Sequence, residues 1–220
     1  MFIKPLFRDR FEAGEFLGKL LTAKVKDRNP IVLALPRGGV PVGFEVARAL
    51  NAEMDVFLVR KLGVPGHEEL AMGAIASGGV RVLNEALIEE LGLSSLIVDR
   101  ITAREQQQIE RRERLYREGR PALPFGHRTV ILVDDGLATG ASMLAAARAL
   151  RAQQPERIIV AVPVASPETC EEFRQHVDEV VCAATPDPFY AVGVWYEDFS
   201  QTPDAEVREL LERAVSLRSV

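Results

Sequence analysis

Short runs of apolar residues recur along the chain, and they constrain its fold more than any other feature of the sequence. The runs are rich in Val, Ile and Leu at successive positions, so each would bury both faces of a strand. Helical stretches or turn-forming residues separate them. The runs predict buried strands of a parallel sheet at residues 31–35, 54–59, 130–133, 158–164 and 179–184.

Helical patterns lie between the predicted strands. Met143, Ala147 and Leu150 recur at helical spacing, and Ser166 and Pro167 supply an N-cap followed by a first-turn proline. This alternation predicts an α/β fold with a doubly wound, mostly parallel five-stranded sheet and flanking helices. The predicted helices cover residues 10–25, 40–50, 96–117, 142–153, 166–175 and 202–213.

Residues 63–79 depart from the alternation because they contain five glycines and a proline. They predict a mobile loop after the second strand, or a loop with a hairpin over residues 74–83. The helix over 96–117 has a charged centre, which indicates a solvated face; a subunit contact, and with it a homodimer, is the alternative. The domain prediction is a core over residues 1–184 and a small hood with a terminal helix over 185–220.

The composition narrows the classes of function. The chain has 220 residues with 27 basic and 32 acidic side chains, a formal net charge of −5, which disfavours a nucleic-acid partner. No apolar run is long enough to span a membrane, and no apolar segment typical of a secretory signal follows residues 1–10. We therefore expect a reduced, cytoplasmic setting, in which Cys170 and Cys182 are packing residues.

The segment over residues 130–142 carries the chemistry. It reads VILVDDGLATGAS, which is a buried strand, two carboxylates at its carboxyl end, and a loop of small residues leading into a helix. Ligands of open α/β sheets bind at that end of the strands. The loop offers backbone N–H groups and the hydroxyls of Thr139 and Ser142 to an anion, while Asp134 and Asp135 suit hydroxyl groups. A sugar phosphate has both an anionic group and hydroxyl groups.

This segment resembles the phosphoribosyl pyrophosphate (PRPP) binding motif of type I phosphoribosyltransferases. Glycine at position 136 departs from the aliphatic residue usual there, and serine at position 142 replaces the commoner threonine but keeps the hydroxyl. The resemblance implies a continuous set of PRPP-binding residues: Asp134, Asp135, Gly136, Leu137, Ala138, Thr139, Gly140, Ala141 and Ser142.

Two further segments fit the same resemblance. Arg37, Gly38 and Gly39 follow the first strand, where family members bind pyrophosphate through a short loop. Arg60 and Lys61 end the second predicted strand, where a basic residue often faces the pyrophosphate. The resemblance implies that all five bind pyrophosphate and that the first and last of them, Arg37 and Lys61, are catalytic.

The segment over residues 185–198 resembles the hood of 6-oxopurine phosphoribosyltransferases, in which an aromatic residue stacks on the base. Phe189 is the predicted stacking residue, with packing inside a small lobe as the alternative. Ala138 stands where that group usually has an aspartate, as in many adenine-type members. Because the hood and the phosphate loop indicate different bases, the acceptor stays open, with a purine-like base favoured.

The resemblance implies a Mg²⁺-dependent pentosyltransferase of nucleotide metabolism, of the kind that serves purine salvage. Its substrates would be PRPP and a nucleobase-like acceptor, and residues 63–79 would close over them. Mg²⁺ would be held mainly through PRPP and water, so we expect no metal site built from protein side chains alone. Two alternatives remain: a PRPP- or nucleotide-sensing regulator without transferase activity, and a hydrolase of a phosphorylated sugar.

Overall fold

The computed structural model describes residues 4–26 and 29–217, so part of the segment 1–10 lies outside the described residues. The strands are β1 (Ile31–Ala34), β2 (Glu53–Val56), β3 (Val59–Val64), β4 (His67–Ala76), β5 (Arg81–Leu83), β6 (Thr129–Val133), β7 (Arg157–Val164) and β8 (Glu179–Ala184). The helices are α1 (Arg10–Lys24), α2 (Gly39–Leu50), α3 (Glu85–Glu90), α4 (Ser95–Arg117), α5 (Ala141–Arg151), α6 (Pro167–Phe173) and α7 (Asp204–Ser216).

The main sheet confirms the predicted architecture. Its five strands are parallel and lie in the order β2-β1-β6-β7-β8. β1 and β6 are neighbours, with Ile31 beside Val130 and Ala34 beside Val133. The chain moves outward from β1 to β2 on one side and from β6 to β8 on the other, so the strand order reverses between β1 and β6. Open α/β sheets bind ligands beyond the carboxyl ends of the strands at such a switch point.

Alternate side chains along the strands bury the two faces of this sheet. Val32 and Ala34 pack with α1, α2, α4 and α7 on one face. Ile31 and Leu33 pack with α5 and α6 on the other. Every residue of β1 and β6 is buried, which explains why both strands are continuous apolar runs in the sequence.

The prediction of one strand over residues 54–59 is wrong at its carboxyl end. β2 ends at Val56, and Val59 begins a separate antiparallel sheet in the order β3-β4-β5. Arg60 and Lys61 therefore belong to this second sheet and do not end a strand of the main one. The apolar residues run without a break from Val56 to Val59, so the sequence pattern does not show that one strand ends at the first and the next begins at the last.

Most of the segment predicted as a loop, residues 63–79, is strand. The hairpin predicted over residues 74–83 is confirmed, since Ala74 pairs with Val82. A second turn joins β3 to β4, whose register shifts around Gly63. Apolar side chains explain the result, because the second sheet packs its apolar face into the main core through Leu62, Val64, Met72 and Ile75.

α4 is less solvated than its charged sequence indicates. Glu105 and Ile109 at its centre are buried. The Nε of Arg117, also buried, donates to both carboxylate oxygens of Asp55 at 3.0 Å. Because each buried charge has an opposite partner, α4 can pack against the rest of the protein with a charged sequence.

The two cysteines correct the prediction of packing thiols. Cys170 on α6 and Cys182 on β8 form a disulfide, with 7.0 Å between their Cα atoms. The pairing is not visible from spacing, because it depends on α6 folding back beside β8. Disulfides persist in oxidising compartments, so this bond does not support the expected reduced setting.

The C-terminal segment folds over the sheet edge that carries the switch point. A short 3-10 turn, Val192–Trp195, precedes Tyr196, which forms an isolated bridge with Phe7. Trp195 and Tyr196 are buried there, as expected for residues that pack a small lobe. The division into a core over 1–184 and a hood over 185–220 stays a prediction. No helix within the described residues is long and apolar enough to cross a membrane.

Candidate active site

The loops that follow β1 and β6 meet at the switch point. A Cβ atom on Gly38 would overlap the carboxylate of Asp135. A Cβ on Gly39 would lie 2.8 Å from the Val133 carbonyl oxygen and 3.1 Å from Oδ1 of Asp134. Only glycine permits this approach, so the two glycines bring the backbone of one loop directly onto the acids of the other.

The two acids differ in their surroundings. Oδ1 of Asp134 accepts a 2.9 Å hydrogen bond from the N–H of Asp135. Burial and the neighbouring charge of Asp135 raise the pKa of Asp134 well above its usual range. Burial also raises the pKa of Asp135, while the adjacent guanidinium of Arg10 opposes that rise. The pair therefore combines one carboxyl that resists ionisation with one that has a cationic partner.

Two residues outside the predicted set hold this pair in place. The Nε of Arg10, the first residue of α1, donates to Oδ2 of Asp135 at 2.9 Å. The hydroxyl of Tyr196 donates to the Asp135 carbonyl oxygen at 2.6 Å. Burial, and then the charge of Asp135, raise the pKa of Tyr196, so it stays a protonated donor. No local motif marks Arg10, because its partner lies 125 residues away.

The loop after the acids leads into α5 with its N-terminus open. α5 begins after Gly140, which has a φ of 68° and gives the helix no side-chain cap. The first N–H groups of a helix have no intrahelical acceptor, so the start of α5 offers unpaired donors. Ala138, Thr139, Ala141 and Ser142 are exposed at this point. The geometry suits an anion at this helix start.

α6 supports the same loop from beneath. The hydroxyl of Thr169 donates to the Ala138 carbonyl oxygen at 2.9 Å. The ring of Phe173 lies against Gly140, where any Cβ would overlap it. Leu137 is buried and its N–H donates to the Val164 carbonyl oxygen at 2.9 Å, so this N–H is already engaged.

Arg37 lies in the loop after β1, beside the C-terminal helix. Its Nη1 is 3.8 Å from Oδ1 of Asp204, the first residue of α7. The same carboxylate oxygen accepts a 2.7 Å hydrogen bond from the hydroxyl of Tyr116. Burial and the neighbouring Asp204 raise the pKa of Tyr116 to about 12. The loop thus carries a half-buried cation whose ion pair is long.

Arg60 and Lys61 lie apart from the acids. Arg60 forms a 2.8 Å ion pair with Glu105, and Lys61 forms a 3.2 Å ion pair with Glu69. Both line a cavity of about 740 Å³ between the β3–β4 hairpin and α4. Within the described part of the chain, no hydrogen bond or ion pair joins either residue to Asp134 or Asp135.

The hood touches the acid loop through Val192. A Cβ on Gly136 would lie 2.5 Å from Cγ1 of Val192, so the valine occupies the space that a side chain at position 136 would need. The ring of Phe189 stacks on that of Trp195, with 6.5 Å between the ring centres. Phe189 is half-buried, and its ring contact agrees with packing inside a lobe without testing the stacking role.

Comparison with known proteins identifies the family. Two Mycobacterium tuberculosis proteins, from strains CDC 1551 and H37Rv and provisionally named phosphoribosyl transferases, are each 44% identical to this chain over 209 residues. These residues are 95% of this chain and 47% of each relative, so the chain spans about half the length of the curated relatives it matches.

A solved structure covers nearly the whole of both chains. The crystal structure of TT1426 from Thermus thermophilus has 44% sequence identity and a TM-score of 0.85, over 94% of this chain and 98% of that one. The sequence profile of the family described as "Phosphoribosyl transferase domain" matches residues 11–198. The chain therefore belongs to the phosphoribosyl transferase domain family.

Proposed function

We propose that this protein transfers the 5-phosphoribosyl group of PRPP to a nitrogenous base and releases pyrophosphate. One observation carries the proposal: the acid pair lies at the switch point, where the loop after β1 touches it through two glycines and the uncapped start of α5 follows it. The arrangement offers an anion two kinds of donor, the free N–H groups at the start of α5 and the guanidinium of Arg37, beside two carboxylates that can accept hydrogen bonds from hydroxyl groups.

The start of α5 would hold the 5-phosphate. Its free N–H groups and the hydroxyls of Thr139 and Ser142 are exposed donors that can converge on phosphate oxygens. Asp134 and Asp135 would accept hydrogen bonds from the ribose hydroxyls. Family members need no protein nucleophile for this transfer, so the acids position the sugar and do not form a bond to it.

The loop after β1 would bind the pyrophosphate. Gly38 allows the backbone to approach closely, and Arg37 adds a charge-assisted donor whose existing 3.8 Å ion pair is easily exchanged. In this proposal the β3–β4 hairpin closes over PRPP and brings Arg60 and Lys61 from their cavity toward the leaving group. Closure would also exclude water from the reaction.

The residues present also suit Mg²⁺ bound together with the substrate. This cation keeps several water ligands and binds substrate phosphates, so PRPP and water would supply most of its ligands beside the acid pair. When bound, Mg²⁺ would supply charge neutralisation for the departing pyrophosphate.

The acceptor would enter beside the hood. A ring nitrogen of the base would bond to C1 of the ribose as the bond from C1 to the pyrophosphate oxygen breaks, and the proton lost by the base would pass to the departing pyrophosphate. Phe189 is the proposed stacking residue, and a purine-like base fits a flat aromatic surface. With Ala138 in the phosphate loop, no acid at that position can take the proton.

The test is incubation with PRPP, Mg²⁺ and a panel of nucleobases, with pyrophosphate and nucleotide as the products measured. We expect one base to give both products in equal amounts, and the variant carrying Asp134→Asn and Asp135→Asn to lose at least tenfold in PRPP affinity. Arg151→Gln, at the opposite end of α5 from the acid pair, is the control and should leave the PRPP affinity unchanged. PRPP binding without turnover would favour the sensing regulator, and absence of binding would contradict the proposal.

A further inference from the structure

Arg10 makes three contacts around the acid pair. Its Nε donates to Oδ2 of Asp135 at 2.9 Å, and its Nη1 donates to the Ser200 carbonyl oxygen at 2.6 Å. Its guanidinium carbon lies 4.0 Å from the centre of the Phe199 ring. The side chain is 11% exposed. A guanidinium held from three directions has one orientation, so it can fix the carboxylate that it contacts.

Each carboxylate of the pair has one oxygen in use and one without a donor. Asp135 uses Oδ2 for Arg10, and Asp134 uses Oδ1 for the N–H of Asp135. Within the described residues, no protein group donates to Oδ1 of Asp135 or to Oδ2 of Asp134. A ribose presents two adjacent hydroxyls, which match two such acceptors.

Charge explains why the pair needs Arg10. Two adjacent, largely buried carboxylates repel each other, so one would be protonated or displaced without a cation. Arg10 is the cation in contact with Asp135, Asp134 is the neighbouring acid, and Tyr196 is a neutral donor to the Asp135 carbonyl. Three further acids, Asp9, Asp198 and Glu206, line a cavity together with Arg10.

We propose that Arg10 is a positioning residue for the proposed transfer: it fixes the carboxylate of Asp135, with Oδ1 available to a ribose hydroxyl of PRPP. This inference rests on the proposed function. Arg10 also lies close to Gly38, since its Nε is 3.2 Å from the place of a Cβ on that glycine. The side chain thus links the α1 start, the acid pair and the loop after β1.

The experiment compares Arg10→Met with Arg8→Met, using titration calorimetry with PRPP and Mg²⁺ across a range of pH. Arg8 is a matched control, because its side chain is exposed and its ion pair is with Glu12. We expect Arg10→Met to weaken PRPP binding by roughly tenfold to a hundredfold at neutral pH. The loss should shrink as the pH rises, because Asp135 without Arg10 ionises only at higher pH.

Two further variants keep the test informative. Arg10→Lys retains the charge and should restore most of the wild-type pH profile. If Arg10→Met does not fold, Arg10→Gln, whose amide can still donate to Asp135, should show the same displacement of the profile.

The outcomes distinguish a failure of the proposed function from a failure of the inference about Arg10. Wild-type protein that does not bind PRPP would overturn the proposed function and this inference with it. Wild-type binding, together with a folded Arg10→Met that binds equally well or loses the same factor at every pH, would overturn the inference alone.

Discussion

At the scale of single residues, the buried acid pair makes the stability of the protein depend on pH. Burial and the charge of Asp135 raise the pKa of Asp134, so the folded protein binds this proton more tightly than the unfolded chain does. That contribution to stability is complete below the unfolded pKa of about 3.9 and is lost as the pH rises through the folded pKa. Above the folded pKa, the buried charge costs stability.

Asp134→Asn should therefore raise the melting temperature near neutral pH, because asparagine resembles the protonated acid. A gain of about 1 kcal/mol corresponds to about 2–4 °C in a chain of this length. Asp135→Asn should gain less than Asp134→Asn, because it also leaves the guanidinium of Arg10 without its anion.

Thermal unfolding of both variants from acid to neutral pH measures the contrast. The gain from Asp134→Asn should disappear below about pH 4, where wild-type Asp134 is protonated in both states. A lower melting temperature for Asp134→Asn at neutral pH would show that its charge is satisfied in the fold.

At the scale of elements, the disulfide anchors α6 against the loop that leads from the acid pair into α5. Cys170 follows Thr169, which donates to the Ala138 carbonyl, and joins α6 to Cys182 on β8. The bond closes a loop with a sequence separation of 12 residues, for which loop entropy gives roughly 3 kcal/mol. Reductant should lower the free energy of unfolding by about that amount.

Denaturant titration with and without reductant measures this difference. The double variant Cys170→Ala and Cys182→Ala serves as control, since its stability should not respond to reductant. An equal free energy of unfolding for the wild type in both conditions would mean that the thiols stay reduced, as the composition first indicated.

At the scale of the whole molecule, the hood and the core meet where Gly136 faces Val192. Gly136→Ala should lower the free energy of unfolding by about 1–3 kcal/mol, because its Cβ would lie 2.5 Å from Cγ1 of Val192. Truncating Val192 to alanine in the same protein should recover part of the loss. Recovery stays incomplete, since the Val164 carbonyl oxygen lies 3.0 Å from the new Cβ.

A double-mutant cycle in denaturant gives the coupling between the two positions, expected at about 0.5–3 kcal/mol. Additive effects of the two substitutions would show that the hood does not pack on the acid loop. The contact with Val192 also explains the unusual glycine at position 136, because this valine of the hood fills the space that an aliphatic side chain in the loop would need.

Local information in the sequence determined the sheet and the position of the acid pair at its edge. The runs at residues 31–35 and 130–133 have few alternatives to buried parallel strands, since they are apolar at every position. Two acids and a loop of small residues directly after such a strand must lie at its carboxyl end. Asp134, Asp135 and the start of α5 could therefore be located from the sequence alone.

Only the tertiary structure decided which distant groups meet those residues. Arg10 reaches Asp135 across 125 residues, and Arg60 pairs with Glu105 on α4 instead of facing the acids. The second sheet and the Cys170–Cys182 bond likewise depend on where elements pack. Strand patterns are set by neighbours in the sequence, whereas ion pairs and disulfides form between residues that folding brings together, and no local pattern records them.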